Sequence, residues 1–575
     1  MKKTLSYLKS YKKECILAPL FKLLEACFEL FVPLVIADII DIGISGGDKG
    51  YVWGRVGILA LLAFCGLAFA ITAQYFAAKA AVGFASKLRH ALFTRIQSLS
   101  YADTDKLGTS TLITRMTADV EQVQQGVNMV LRLLLRSPFV VFGAAIMAFT
   151  VDAKSAVTFA VTIPVMSAAV MTIMLITIPL YKKVQAKLDS LLGITRENLS
   201  GVRVIRAFRK ENAEYERFVS TNGDLTRSQK FVGRISALMN PLTYVLINCG
   251  VIALIWVGAV RVNAGAISQG QVVALYNYMS QILVELVKLA MLIITLTRAV
   301  ACAKRVDGVL TTENSMTENG DKEQKHTVIG GDVEFDGVEL TYPEAGAPSL
   351  SGVNFYAPSG STVGVIGGTG SGKTSLVNLI PRFYDVTKGC VKVGGTDVQK
   401  LDAETLRKNI GIVPQRAALF KGTIRSNLLW GKEDATDEEL WEALKTAQAE
   451  NVALDKGGLD AEVEQEGRNF SGGQRQRLTV ARALVRKPKI LILDDSASAL
   501  DLKTDAALRE AISKLDYKPT VFIVSQRAAA VMNAQLIVVL DEGAVVGMGT
   551  HDELMKTCPA YEEIYSSQFK KEADR

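Results

Sequence analysis

The sequence predicts an α-helical membrane domain with six transmembrane helices, followed by a soluble α/β domain. Three observations carry that prediction. Long apolar stretches without an ionisable residue occur only before about residue 300, and about 20 such residues cross a bilayer. The remainder has ordinary soluble composition. Past the divide, a buried-strand pattern runs directly into a glycine-rich loop and then a helix. At 575 residues the chain is also too long for a single core.

Four spans are set by length alone: Val56 to Ala78, Ser155 to Leu180, Ile235 to Val260, and a last one beginning near Gln271. The last starts there because Arg261-Val262-Asn263-Ala264-Gly265 before it reads as a loop, and it is expected to run past Glu285 and Lys288 to about Thr297. A fifth, Leu133 to Val151, includes Arg136. The first, about Cys15 to Ala37, is interrupted by Lys22, Glu25 and Glu29. These three charges sit at i, i+3 and i+7, so they share one helix stripe. Lys22 is placed to pair with Glu25, which leaves Glu29 as a candidate contact for a cationic substrate, against the plainer reading of a structural ion pair.

Orientation follows from the loops. Lys2, Lys3, Lys9, Lys12 and Lys13 precede the first span, and Lys182, Lys183, Lys187, Arg196, Arg203, Arg206, Arg209 and Lys210 follow the fourth. Positive charge marks cytoplasmic loops, so the N-terminus and the soluble domain are expected in the cytoplasm and the chain in the plasma (inner) membrane. Two loops are unusually long. Lys79 to Gln125 and Lys182 to Arg234 keep a helical apolar period, and arms of about 25 residues reach roughly 35–40 Å beyond the membrane. Their tips fall near Tyr101–Leu107 and Ala207–Glu214.

A polar, charge-rich stretch from Thr311 to His326 has no apolar period and reads as a linker. The expected organisation is therefore a membrane domain over 1–308, a linker over 309–331 and a soluble domain over 332–575. The net charge of +7 does not point to nucleic acid, because the surplus Lys and Arg flank apolar segments. Seven cysteines are scattered singly, without metal-ligand spacing. The basic start Met1-Lys2-Lys3 lacks the short apolar core of a signal peptide.

Past the linker, Val333, Phe335, Val338 and Leu340 suggest strands, and Ser361 to Ile366 reads as a buried one. Gly367-Gly368-Thr369-Gly370-Ser371-Gly372-Lys373-Thr374 follows at once and matches the phosphate-loop pattern, with Ser375 to Ile380 continuing as helix. Glycines let backbone N–H groups wrap phosphates, and the helix N-terminus adds positive potential. Lys373 is placed to reach the β- and γ-phosphates of ATP and Thr374 to ligate Mg²⁺. A second element, Lys489 to Asp495, is a continuous apolar strand ending in Asp494 and Asp495, where ligands gather in open α/β sheets.

Between these lies Asn469-Phe470-Ser471-Gly472-Gly473-Gln474-Arg475-Gln476-Arg477, ahead of an alanine- and leucine-rich stretch. With this run the chain resembles an ATP-binding cassette (ABC) transporter of the exporter type over essentially its whole length. Phe470 to Gln474 resembles the family signature, normally begun by Leu. Pro414-Gln415 before Leu419 to Ile424 resembles its glutamine loop, Ser498 to Asp501 its D-loop, and Gly549 to Leu554 its closing motif. Tyr342 stands where the family has an aromatic that stacks on adenine. The resemblance implies ATP held by Tyr342, residues Gly367 to Ser375, Gln415 and Asp494. It implies Mg²⁺ held by Thr374, Gln415 and Asp494, directly or through water. It further implies that two cassettes pair head to tail, so that Ser471, Gly472, Gly473 and Gln474 serve the ATP of a second half-transporter.

Three positions depart from the family pattern. The acid after Asp494 is normally Glu, the base that positions attacking water; here Asp495 is one methylene shorter, a withdrawal of roughly an ångström that can cost on the order of 100-fold. The switch histidine is replaced by Gln526, which cannot become a cation. Gln465 stands upstream of the signature where Glu is common. The combination resembles the degenerate-site subunit of heterodimeric exporters, with weak hydrolysis at Asp495 and Gln526. The leading expectation is thus half of a heterodimeric pump in the lipid bilayer that moves amphipathic small molecules, drugs or lipids. A homodimeric exporter, an importer on the same fold, a peptide exporter and an ATP-binding regulatory subunit remain alternatives; no docking or protease domain precedes Cys15 to favour the peptide reading.

Overall fold

The computed structural model describes residues 2–316, 330–343, 345–496 and 498–573. Most of the expected linker, His326 included, lies outside them. The chain divides into two compact units: residues 1–97 with 110–312, and residues 98–109 with 313–575.

The first unit is helical. Among the described residues, five stretches are long and apolar enough to cross a membrane: Lys49–Ser98, Thr109–Val151, Ala153–Ser200, Glu211–Asn263 and Gln269–Thr311. We label its helices α1 (Lys12–Asp38), α2 (Lys49–Ser98), α4 (Val120–Leu133), α5 (Arg136–Val151), α6 (Ala153–Ser200), α7 (Glu211–Ala237), α8 (Met239–Asn263) and α9 (Gln269–Thr311); α3 belongs to the second unit. Helix α1 covers the charged segment expected as the first span and is not among those five stretches. At 50 residues α2 is about 75 Å long, well over twice a hydrocarbon core of about 30 Å. Leu61, Phe64, Leu67 and Ile71 stay exposed along it, which is ordinary where lipid is the solvent. Packing inside relies on small residues: Ala144, Ala148 and Ala274 are fully buried, and a Cβ on Gly126 would lie 2.2 Å from that of Ala299, so α4 and α9 approach closely there. The helix that carries the last expected span continues beyond Thr297 to Thr311, with Cys302, Val306, Val309 and Leu310 buried along the extension. A Ser268/Gln271 capping box starts it.

The fold gives Glu29 the ion pair of the plainer reading, with a partner on another helix. Lys22 does pair with Glu25 at 2.6 Å. Glu29, however, accepts from Arg136 of α5 at 2.9 and 2.6 Å. Arg136 also donates to Glu285 of α9 at 2.6 Å, and Ser137 and Lys288 complete that carboxylate at 2.7 and 2.8 Å. A stripe argument sees only neighbours within one helix, and Arg136 lies 107 residues away in sequence.

The second unit is a three-sheet α/β domain. Helix α3 (Tyr101–Leu107) clusters with it. Ser100 caps α3 by accepting from the Asp103 N–H at 3.1 Å, and Gly108 at φ 76° turns the chain away. Strands β1 (Val333–Leu340), β2 (Leu350–Ala357), β4 (Lys388–Val393) and β5 (Thr396–Asp397) form an antiparallel sheet in the order β2-β1-β4-β5. The main sheet has the order β12-β11-β3-β10-β9-β6. It uses β3 (Thr362–Gly367), β6 (Ile410–Val413), β9 (Ile490–Asp494), β10 (Thr520–Ser525), β11 (Leu536–Asp541) and an antiparallel edge, β12 (Ala544–Gly549). A short ribbon pairs β7 (Gly422–Thr423) with β8 (Glu462–Val463). The parallel strands are buried on both faces, with Val363, Val365, Ile490, Leu491, Ile492 and Phe522 fully inside, which is why they read as continuous apolar runs.

Candidate nucleotide-binding site

Parallel register gathers the site. Val524 of β10 pairs with Asp494 of β9 and with Val365 of β3, so these strands end on one rim, with β6 beside β9. The loop after β3, the acids after β9, Gln526 after β10 and Gln415 after β6 therefore converge. They line a cavity of about 470 Å³ with Thr369, Gly370, Gly372, Lys373, Thr374, Ser375, Gln415, Asp494, Asp495 and Gln526 in its wall. Among the described residues Gly367, Gly368 and Ser371 stand behind that wall; Lys373 Nζ donates to the carbonyls of Gly367, at 2.9 Å, and Gly368 and lies 3.4 Å from Ser371 Oγ. Two glycines are required by geometry. Gly370 (φ 83°) and Gly372 (φ 95°) are left-handed, and a Cβ on Gly372 would lie 2.8 Å from the Ser349 carbonyl. Lys373 then opens helix α10 (Lys373–Leu379).

Thr374 Oγ1 donates to Asp494 Oδ1 at 3.1 Å, so a hydroxyl and a carboxylate already meet beside the phosphate loop. Together with the Gln415 amide oxygen they make a hard, all-oxygen donor set of the kind Mg²⁺ takes alongside nucleotide phosphates. When bound, the ion would neutralise phosphate charge. Burial holds Lys373 below the ordinary lysine range, against the pull of Asp495 and Asp494. Burial also lifts the Asp494 carboxyl above its ordinary range, despite the Thr374 bond. Both shifts reflect charge kept from water, and a magnesium–polyphosphate ligand would satisfy both groups.

Gln415 Nε2 lies 3.4 Å from Asp495 Oδ2. Asp495 has a left-handed backbone, φ 45°, with its N–H bonded to the Val524 carbonyl at 3.0 Å and its carbonyl accepting from Ser498. Asp enters that region at smaller cost than most residues, so the backbone offers its own reason to accept Asp here. Tyr342 is not in the cavity wall. Its hydroxyl donates to Ser375 Oγ at 2.9 Å, and its ring meets Tyr384 edge-on at 5.0 Å.

The signature residues stand elsewhere. Ser471 caps the 14-residue helix α11 (Gly472–Val485) in a box with Gln474, whose N–H donates to Ser471 Oγ at 3.3 Å. Gly472 opens onto a different cavity, which it shares with Gln415, Gln465, Glu466 and Arg475. A Cβ on Gly472 meets nothing within 4 Å, whereas one on Gly473 would lie 3.0 Å from the Ala499 carbonyl.

Sequence reasoning missed several contributors, Pro348, Ser349 and Val524 of the cavity wall among them. Glu542 and Gly543 close the cavity from the β11–β12 turn, and only the sheet order brings that turn beside β3. Tyr384 donates to Asp105 of α3 at 2.7 Å while Tyr101 stacks on Phe383 at 4.3 Å; burial and the Asp105 carboxylate raise the Tyr384 phenol. The arm-tip helix is thereby joined, through Tyr384 and Tyr342, to Ser375 at the phosphate loop. The expected Tyr101–Leu107 tip was legible; its partner was not.

A helical unit suited to a bilayer and an α/β unit with a phosphate loop define the class, a membrane protein that binds nucleotide. The profile described as the ABC transporter transmembrane region matches residues 15–286, and that of the ABC transporter matches residues 350–498. An uncharacterized ABC transporter ATP-binding protein of Bacillus subtilis, YfiB, is 37% identical over 100% of this chain and 99% of its own. One from Mycobacterium tuberculosis (strain CDC 1551 / Oshkosh), MT1311, is 36% identical over 98% and 97%. YgaD of B. subtilis, provisionally named a multidrug export ATP-binding/permease protein, is 30% identical over 99% of both chains. The structure of a bacterial Atm1-family ABC exporter with ATP bound superposes with a TM-score of 0.81 at 22% identity, covering 97% of this chain and 98% of that one. The chain belongs to the ABC transporter family. It is an exporter-type half-transporter, an integral membrane protein that binds and hydrolyses ATP.

Proposed function

We propose that this half-transporter works with a different, hydrolytically competent half in the plasma (inner) membrane, exporting amphipathic small molecules and keeping a slow ATP pocket of its own. The observation that carries this is the pair Asp495 and Gln526 in the wall of one cavity with Lys373 and Asp494. Binding groups are complete, while the two positions that handle attacking water and γ-phosphate hold a shortened acid and an amide. Thr374, Gln415 and Asp494 hold Mg²⁺, Tyr342 stacks on adenine, and the N-terminus and cassette face the cytoplasm. In domain terms, 1–308 spans the membrane and carries the arms, 309–331 links, and 332–575 is the cassette. The multidrug name of YgaD supports the substrate class. Glu29, being partly exposed on its bond to Arg136, contacts a cationic substrate only by exchanging that bond.

The test uses the two sites of one chain. A Cβ at Gly472 meets nothing within 4 Å, so the loss expected from Gly472→Glu is a clash where the partner's nucleotide meets the signature. Oxyanion-type donors of this kind are worth roughly 3–4 kcal/mol, and steady-state ATPase of the heterodimer should nearly vanish. Asp495→Asn should lower it only modestly. Equal, severe losses would make Asp495 a working base and return the homodimeric pump. The chain purified alone should bind ATP yet turn over slowly, and vigorous substrate-stimulated ATPase from it would refute obligate pairing.

A further inference from the structure

The loop after β10 is held from outside the strand by one side-chain amide. Gln568 Nε2 donates to the Gln526 carbonyl at 2.8 Å, and its Oε1 accepts from the Ala528 N–H at 2.9 Å. A primary amide presents donor and acceptor side by side, so this single group closes both ends of the Gln526–Ala528 turn. Arg509 holds the next stretch, donating to the carbonyls of Ala529 and Ala530 at 2.9 and 3.2 Å while Asp505 steadies it at 2.8 Å.

Gln568 is itself well anchored. It lies on the C-terminal helix Pro559–Ala573, where Tyr561 is fully buried and its hydroxyl lies 2.9 Å from His551 Nδ1. Tyr565 and Phe569 stack beside it at 4.4 Å. A side chain carried on a packed helix and bonded to the backbone of a residue in the cavity wall restrains where that residue stands. Gln526 is the wall residue concerned. Rotation about its backbone would swing its amide away from the phosphate end of the cavity, and the Gln568 bond to its carbonyl opposes that rotation.

We propose that Gln568 is a positioning residue of the nucleotide pocket, holding Gln526 at the γ-phosphate end from the C-terminal helix. The proposal rests on the assignment of Gln526 to that end. The C-terminal helix thereby becomes part of the ATP site, although none of its described residues lines the cavity.

Two variants separate bonding from packing. Gln568→Met keeps the unbranched length and removes both hydrogen bonds; Gln568→Glu keeps the acceptor and removes the donor. Each is made in the full chain, in membranes or nanodiscs with its partner half, alone and together with Gln526→Ala. Mg-ATP affinity of this pocket and the KM and kcat of ATPase are measured, with nucleotide-free melting as the folding control. The expected result is a roughly five-fold loss of affinity for Gln568→Met, in the range of coupled neighbours, a smaller loss for Gln568→Glu, and no further loss from either in the Gln526→Ala background. An unchanged affinity, or the same loss in both backgrounds, overturns the proposal and leaves the Gln526 assignment standing. A silent Gln526→Ala overturns the assignment and the proposal together.

Discussion

Arg136 in the helical unit and Lys373 in the α/β unit are buried to the same degree, 7% and 8% exposed, yet their surroundings differ. Arg136 is closed off by two carboxylates from two other helices, Glu29 and Glu285. Lys373 is bonded only to loop carbonyls and a hydroxyl, and among the described residues no ion pair joins it to Asp494 or Asp495, which share its cavity. A charge consumed by its neighbours holds helices together. Charges kept apart across an opening are what a ligand of mixed charge, such as a magnesium–polyphosphate, can satisfy. The contrast separates scaffold from site without any appeal to motif.

The largest expected effect lies on the scaffold side. Arg136→Met leaves Glu29 without its cation and the buried Glu285 with only the partly exposed Lys288, and losing one partner of a buried pair costs roughly 3–5 kcal/mol. Thermal unfolding of the purified protein should begin several degrees lower, while Mg-ATP affinity stays near wild type. A pocket that fails together with the helices would erase the distinction. Lys373→Ala should do the reverse. Charge-assisted hydrogen bonds contribute roughly 1.5–3 kcal/mol, so ATP affinity should fall about 10- to 100-fold, and nucleotide-free stability should not fall.

A pH measurement sharpens the same point. Burial raises the Asp494 carboxyl above its ordinary range, so the folded chain binds that proton more tightly than the unfolded one. Its contribution to stability therefore falls as pH rises from the ordinary carboxylate value through the raised one. Asp494→Asn should melt higher than wild type at neutral pH without nucleotide, and the gap should close below about pH 4, where the unfolded carboxyl is itself protonated. A gap that widens on acidification would mean that the carboxylate is stabilised, not penalised, by the site. The smallest effect belongs to Tyr384→Phe, which deletes only the bond to Asp105. It should cost about 1 kcal/mol, read as faster amide exchange in Tyr101–Leu107 with the main sheet unchanged.

Much of this was legible in the residues themselves, because the signals are local. Apolar length marks a span, and a strand running into Gly367–Thr374 marks a phosphate loop. Even the arm tip at Tyr101–Leu107 follows from where the helical period stops. The sequence also carried the departures at Asp495 and Gln526, since identity needs no coordinates. One helix judged alone could not show where Glu29 finds its cation, which comes from Arg136 on another helix.

What only the tertiary structure decided are relations between distant segments. Parallel pairing of β3, β10 and β9 sets Lys373, Asp494 and Gln526 around one cavity and leaves Ser471–Gln474 outside it. Helix packing gives Glu29 its arginine. The fold of the last helix brings Gln568 to the carbonyl of Gln526, 42 residues upstream. Periodicity reports which face of an element is buried, and motifs report what a short loop can bind. Neither reports which two faces meet, because that choice is made by packing over the whole chain, whose energy no local window contains.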